Sequence, residues 1–596
     1  MCGIAGVASR ATDPRLEELS RRMIATLAHR GPDGEASASF GRCALSHRRL
    51  AVIDVEGGAQ PMRSPRGTAV VFNGEIYNFL ELRRELAGGY AFQTRSDTEV
   101  LLAAYERWGD GFCARLRGMF AFALWDETKQ ELLLARDRFG KKPLFYEERD
   151  GRLAFASELK ALRRAGLAQG EPDRVAALEY LAIGYVPGER TMIRGVRRLP
   201  PGHVLRFGAN GTKLTKYWEL PPPRARADRS DAEWVSRVGS ILDESVNLRL
   251  IADVPLGAFL SGGLDSSTVV ALCMKHRGRP FHTFSIRAAG GDPADADAAL
   301  RVAKALGTEH HEQVVDCPPP EEAAALFEHF DEPFADSSMF PTAAVSKLAR
   351  ERVTVSLSGD GGDELFGGYF RYALARRARW FGKLPGFRAL AQRVPKGIRG
   401  SDYLRRLAGA SQGYFSVLEI FQAAERRELL QAGANDEAEA EHELSQLFET
   451  DGSVAQMCAA DVRGYLPGDI LPKVDLASMR ASLEVRCPFL DHVLAEELAG
   501  LPDHLRMRGT LGKILLRRIA RDLLPEEILT RPKLGFSVPI ERWLSGSWRG
   551  LVEATFAAPG NPLVDPKLLK RHAAPPRLPH EGQLQFTLLS LAAWKA

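Results

Sequence analysis

The sequence predicts a chain of two units: a mixed α+β half built on mainly antiparallel strands, then an α/β half with a parallel sheet. Three observations carry that reading. The chain's 596 residues exceed what one core commonly organises. From Cys2 to about Phe207, short apolar runs alternate with turn-rich segments and stretches of helical spacing. From Asp231 onward a helix, a strand, a glycine loop, a helix and another strand follow one another, the order expected of a parallel sheet.

In the first half, Gly3–Val7, Cys43–Leu45, Ala69–Phe72, Phe120–Trp125, Glu131–Ala135 and Leu153–Ala156 have the length and content of strands. Glu17–Leu27, Leu80–Leu86 and Thr98–Trp108 carry apolar residues at helical spacing. An αββα layering is one way to combine them, and periodicity alone leaves it open. Asn210-Gly211 reads as a hairpin turn, and Pro221-Pro222-Pro223 with Arg224–Ser230 as an exposed connection. The units are therefore drawn at residues 2–207 and 231–596, with 208–230 between them. In the second half, Asp231–Leu250 is a predicted helix, Val254–Leu260 a strand, Ser261–Gly263 a tight loop, Asp265–Lys275 a helix and His282–Ile286 a strand. Arg352–Leu357 is a further strand, ending in the glycine-rich run Ser358–Gly362, and the rest reads as largely helical to Trp594. No repeat recurs at a fixed period.

Composition narrows the function. Lys and Arg number 80 against 76 Asp and Glu, a formal charge of +4, too small a surplus for a nucleic-acid binder. Arg371–Arg379 reads as a solvated helix face or salt-bridge partner, and the acidic Asn435–Glu443 as a solvated helix or loop. The seven cysteines are scattered and form no C-x-x-C pair, as suits a reducing cytoplasm without structural zinc. Cys43 and Cys113 sit among apolar residues and are predicted to be buried packing groups. No apolar run reaches the roughly 18–20 residues of a membrane helix, and Met1-Cys2-Gly3-Ile4 has no basic region before an apolar one.

Cys2 is the first chemical candidate. A small side chain at this position permits removal of Met1, leaving a thiol and an α-amine on one residue. That amine has a reference pKa of about 7.7–8.0, so it can take the thiol proton directly or through water. The motifs around it, MCGIAGV, His29–Asp33, Ser46–Leu50, Phe72–Asn78 and Ser96–Glu99, resemble the class II glutamine amidotransferases over Cys2 to about Leu162. The resemblance implies the layered αββα fold of N-terminal-nucleophile hydrolases. It also implies that Arg49 pairs with the glutamine α-carboxylate, Glu75 and Asp97 receive its ammonium, and Asn73 with the Gly74 N–H forms an oxyanion hole. Read without the family, Asn73-Gly74 suits a type I′ turn and Arg49 a surface carboxylate.

The run Leu260-Ser261-Gly262-Gly263-Leu264-Asp265-Ser266-Ser267 lies between strand and helix, where free N–H groups and the helix dipole attract phosphate. It lacks the Gly-Lys-Ser/Thr ending of a Walker A loop. The run resembles the SGGxDS loop of adenylating ATP pyrophosphatases, implying a parallel-sheet fold like that of the adenine-nucleotide α-hydrolases. Ser358–Tyr369 adds a second glycine-rich run with three carboxylates, Asp360, Asp363 and Glu364.

Both runs resemble the asparagine synthetase family, as do Leu306–Glu312, Asp331–Ser338, Glu484–Asp491 and Thr510–Lys513, over about Asp231 to Trp543. The resemblance implies ATP and pyrophosphate contacts at Leu260–Gly263, Asp265–Ser267, Ile286, Ser358 and Gly359. It implies Mg2+ on Asp265 and Asp363, Asp360 near the reacting groups, and Lys513 directed at the reaction centre. Some members carry Glu where Asp360 stands. Arg287–Ala299 departs from the family pattern, with Asp295 or Asp297 standing in for its usual acid.

The expected reaction is glutamine-dependent asparagine synthesis in the cytoplasm. Its partners would be glutamine, aspartate and ATP, with no nucleic acid, no membrane and a homodimer allowed. Amidation of another carboxylate, a sugar acid or a peptide side chain, uses the same machinery and stays open. A non-catalytic homologue is opposed by the intact Cys2, Ser261–Ser267 and Asp363, and a beta-lactam synthetase has no use for a glutaminase thiol.

Overall fold

Strands whose side chains are apolar on both faces must be covered on both, and the first half of the chain does this with two sheets and two helical layers. The computed structural model describes residues 1–226, 228–277, 281–289, 293–381, 384, 386–387, 390, 393–394, 407–408, 413–531 and 538–595. The first sheet contains β1 (Gly3–Ser9), β2 (Gly34–Ser39), β3 (Cys43–Arg49), β8 (Phe145–Arg149), β9 (Arg152–Ala156) and β10 (Val196–Arg198), in the order β10-β8-β9-β1-β3-β2. The second contains β4 (Met62–Arg63), β5 (Thr68–Ile76), β6 (Gly118–Asp126), β7 (Glu131–Arg136), β11 (His203–Gly208) and β12 (Gly211–Lys216), in the order β12-β11-β7-β6-β5-β4. All neighbouring strands in both are antiparallel.

Alternation along β6 shows why the layers form. Phe120, Phe122 and Leu124 pack with the helices Phe79–Leu86 and Asp97–Trp108 on the outer side. Ala121, Ala123 and Trp125 face the other sheet and meet Ile4, Ala8 and Leu45. On the far side, Leu16, Met23 and Ile24 of the helix Leu16–Ala25 cover Ala5 and Val7 of β1. The layering is αββα, the arrangement that periodicity left open.

The second half has five parallel strands in the order β15-β14-β13-β16-β17: β13 (Leu256–Phe259), β14 (His282–Ala288), β15 (Glu309–Val315), β16 (Val355–Leu357) and β17 (Glu484–Arg486). Helix Asp231–Leu248, opened by a Ser230/Glu233 capping box, and helix Leu264–Arg277 share a core with Ala258, Phe284, Val355 and Val485. A second core joins residues of β1 to Phe586 and Leu589 of the C-terminal helix Pro579–Ala593, so apolar contact is continuous across the two halves. No helix among the described residues is long and apolar enough to cross a membrane.

Several local expectations are revised. Asn73-Gly74 is no turn: both lie inside β5, opposite Ala121 and Phe120. The hairpin closes across Ala209-Asn210, with Gly208 opposite Gly211, so Gly211 opens the returning strand. That strand, β12, extends the second sheet into the stretch read as a connection. Of the two readings of Arg371–Arg379, Arg371 takes the salt-bridge one: its Nη2 meets Asp461 Oδ2 at 2.7 Å and its guanidinium lies 3.8 Å over the Tyr369 ring. Within Asn435–Glu443, Glu437 turns inward and accepts from the buried Arg426 Nε at 3.1 Å. Cys43 and Cys113 are fully buried, as expected. The Arg287–Ala299 departure lies partly outside the described residues, including the Asp295 side chain; Asp297 is exposed on the helix Pro293–Leu306.

Candidate active sites

Cys2 immediately precedes β1, whose pairing with β3 sets Gly3 opposite Arg48 and fixes the thiol at the end of the first sheet. The Cys2 N–H donates to Asn73 Oδ1 at 3.1 Å, bringing β5 of the second sheet against it. Asn73 is fully buried, and its Nδ2 has no hydrogen-bond partner among the described residues. Leaving such a donor unmet costs about 1–3 kcal/mol, so the arrangement favours an arriving acceptor. Gly74 has φ 155°, and a Cβ there would lie 2.7 Å from Phe120 Cα and collide with the Met119 carbonyl.

The other expected glutamine contacts lie near the thiol, with Arg49 in electrostatic reach of Cys2 and Asp97 in that of Glu75. Arg49 pairs with no carboxylate among the described residues: Nη1 and Nη2 donate to the Val55 and Asp54 carbonyls, each at 2.7 Å. Asp97 opens the helix Asp97–Trp108, and its Oδ2 accepts the Ile76 N–H at 3.0 Å; burial lifts its pKa to about 6. Glu75 turns toward the second half, with Oε1 3.3 Å from Arg486 Nη2, and burial with Glu484 nearby lifts its pKa well above a usual carboxyl's. Burial raises the Cys2 pKa, an effect the neighbouring terminal ammonium opposes. The Met1 ammonium lies 3.3 Å from Glu484 Oε2.

At the carboxyl ends of β13 and β16 the two glycine runs meet. Gly262, at φ +72°, passes so close to the helix Pro293–Leu306 that a Cβ would stand 2.6 Å from Ala299 N. A Cβ on Gly359 would stand 2.9 Å from both Asp265 Cβ and Ser266 N. The first loop is internally tied: the Ser261 N–H donates to Ser266 Oγ at 3.2 Å, and the two hydroxyls are 3.0 Å apart. The Ser267 Oγ is buried without a partner among the described residues. Leu260 joins the loop to the sheet through its N–H to Phe284 O at 2.8 Å, and Ile286 lies two residues further along β14.

Lys513 stands between the carboxylates expected to hold metal. Its Nζ bonds Asp265 Oδ2 and is 2.7 Å from Asp363 Oδ1, and although burial opposes it, these two charges raise its pKa. One cation thus already bridges Asp265 and Asp363, and an all-oxygen pair at that spacing suits Mg2+. The third carboxylate, Asp360, accepts from Ser358 Oγ at 2.7 Å, and that hydroxyl also meets Cys487 Sγ at 3.3 Å.

Residues that sequence reading missed lie where the halves meet. Arg30, inside the His29–Asp33 run, joins Glu158 Oε1 at 2.7 Å and Asp475 Oδ2 at 2.8 Å, all fully buried, while its Nε donates to Cys2 O at 3.1 Å. Lys142 reaches Asp475 Oδ1 at 3.2 Å, and burial lowers its pKa to about 8. Lys141, also buried, extends from the first half to the Cys487 thiol, with Asp360 in electrostatic reach. Its adjacency in Gly140–Leu144 to the interface-bound Lys142 was the available signal.

A buried thiol beside a carboxamide, in a half joined by buried ion pairs to a second half that carries two glycine loops at the end of a parallel sheet, is the arrangement of two-domain amidotransferases. Comparison with known proteins agrees: the glutamine amidotransferase domain family matches residues 1–218, and the asparagine synthase family matches residues 237–596. The chain is 36% identical to glutamine-hydrolysing asparagine synthetase 1 of Bacillus subtilis over 91% of its own length and 88% of the relative's. It is 38% identical to a putative glutamine-hydrolysing asparagine synthetase of Mycobacterium bovis, covering 89% and 85% respectively. With glutamine-hydrolysing asparagine synthetase 3 of Bacillus subtilis the identity is 32%, covering 89% and 86%. The chain belongs to the asparagine synthetase family.

Proposed function

We propose that this chain makes asparagine from aspartate, ATP and glutamine, releasing glutamate, AMP and pyrophosphate. The observation carrying the proposal is the contact between the two glycine loops at Gly359 and Ser266, in the chain that also holds Cys2 against Asn73. Family membership over about nine-tenths of the chain supports aspartate as the acceptor.

With Met1 removed, the Cys2 α-amine takes the thiol proton and the sulfur attacks the glutamine amide carbon. Asn73 Nδ2 and the Gly74 N–H hold the resulting oxyanion, and the proton passes to the departing ammonia. Water then cleaves the thioester to glutamate. Arg49 orients the glutamine carboxylate, and Asp97 with Glu75 its ammonium. In the second domain an aspartate carboxylate oxygen attacks the α-phosphorus of ATP and pyrophosphate leaves into the Ser261–Ser267 cradle, steadied by Ser358, Gly359 and Lys513. Asp265 and Asp363 would hold Mg2+, which neutralises phosphate charge when bound. Ammonia attacks the acyl carbon, AMP leaves with the bonding pair, and Asp360 accepts the surplus proton. Met119 and Phe139 of the first domain share one buried cluster with Phe489 and Leu490 of the second, a lining that supports a dry route between the sites. Free thiols and the demand for ATP support a cytoplasmic setting.

The test supplies aspartate, ATP and magnesium with either glutamine or ammonium. Wild type is expected to form asparagine and AMP from both, and Cys2→Ala from ammonium alone. Glutamine hydrolysis without asparagine would overturn the acceptor, and ADP in place of AMP would overturn the adenylate.

A further inference from the structure

Away from both sites, three basic atoms converge at the outer edge of the parallel sheet. His282 opens β14 and Glu309 opens β15, and the register sets them side by side. His311 follows two residues along β15, so it shares the face of Glu309. His282 Nδ1 lies 3.1 Å from His311 Nε2 and 3.2 Å from Glu309 Oε2, and the three atoms all lie within 4.8 Å of one another. Tetrahedral zinc, with bonds of about 2.0–2.2 Å to nitrogen and oxygen, sets its ligand atoms about 3.3–3.5 Å apart. The two measured separations fall close to that edge length without any movement of the backbone.

The hydrogen bonding is also incomplete for what is assembled. A neutral His282 brings one Nδ1 hydrogen to be shared between an imidazole nitrogen and a carboxylate, whereas a cation would satisfy all three lone pairs. The neighbouring His310 points the other way, its ring nitrogens held by Thr283 Oγ1 at 3.0 Å and Ser285 Oγ at 3.1 Å, which keeps it out of the cluster. The His311 ring stacks on Phe284 at 5.3 Å, which fixes its plane. Arg352 is a cation near His311, and Arg287 is engaged by Glu312 at 3.3 Å.

We propose that His282, Glu309 and His311 form a zinc site with a fourth position open to solvent, pinning edge strand β15 to β14. Two imidazoles and a carboxylate favour zinc over magnesium. The site lies at the amino-terminal ends of its strands, whereas the phosphate loops lie at the carboxyl ends, so its occupancy is separable from Mg-ATP binding.

The experiment uses the full chain with Cys2→Ala, which removes a competing thiol, stripped of metal and titrated with zinc chloride against a chromophoric chelator. One equivalent should bind at micromolar affinity or tighter, with millimolar magnesium failing to displace it. His311→Ala and, separately, the more exposed His282→Gln should each weaken binding by at least the roughly tenfold that even outer partners of a metal cost. Cobalt should give a visible absorption band that both variants lose. Circular dichroism of each variant distinguishes loss of the site from loss of the fold. Binding below a tenth of an equivalent, or binding undiminished in both folded variants, would overturn the proposal.

Discussion

Asn73 divides its carboxamide between two tasks: the oxygen holds Cys2 and the nitrogen waits without a partner. Asn73→Ala is expected to lower kcat for glutamate release by about 10²–10³, the effect of removing one oxyanion donor, while ammonium-supported pyrophosphate release persists. Asp97 predicts a pH response. Its pKa of about 6 makes it neutral below that pH and charged above, and only the charged form attracts the glutamine ammonium. The KM for glutamine should therefore rise as pH falls from 7 to 5, and Asp97→Asn should flatten that rise. Cys2, Asn73 and Asp97 were legible because each sits in a short run whose neighbours carry the signal. Glu484 and Arg486 stood in a recognised run too, but their proximity to Met1 and Glu75 arises from folding across about 400 residues and leaves no local pattern.

The elements that position these groups were read with uneven success, and the failures have physical causes. Asn73-Gly74 has the composition of a turn, yet the continuous apolar run Ala69–Phe72 before it and the pairing of β5 with β6 outweigh that preference. The loops at the ends of β13 and β16 were legible because glycine is needed where two backbones approach closely. Gly359→Ala tests this: its Cβ would meet the Ser266 backbone at 2.9 Å, so pyrophosphate release should fall at least about tenfold, a loss of some 1.4 kcal/mol, with glutaminase activity retained. A direct assay of each half-reaction on the same sample separates this from general unfolding.

At the scale of the molecule, the partition into two domains followed from length and from the change in strand pattern, whereas the contact between domains did not. Arg30, Glu158, Asp475 and Lys142 are spread over 446 positions, from 30 to 475, and only the folded chain shows that they form one buried network. Removing one partner of such a network costs about 3–5 kcal/mol when nothing compensates. Lys142 and Lys160 remain to serve Asp475 and Glu158, so Arg30→Met should fall at the lower end. It should lower the thermal midpoint and raise the glutamate released per asparagine above one as ammonia escapes at the loosened contact.

Met1 is almost wholly enclosed, at 1% exposure, with its side chain in the cluster that includes Phe139, Val485 and Leu490. A processing aminopeptidase needs its substrate in extended form within its own cleft, and the finished molecule offers no such end. If Cys2 is to act as a nucleophile with its own amine, excision has to precede closure, while the emerging first domain still trails its tether to the ribosome.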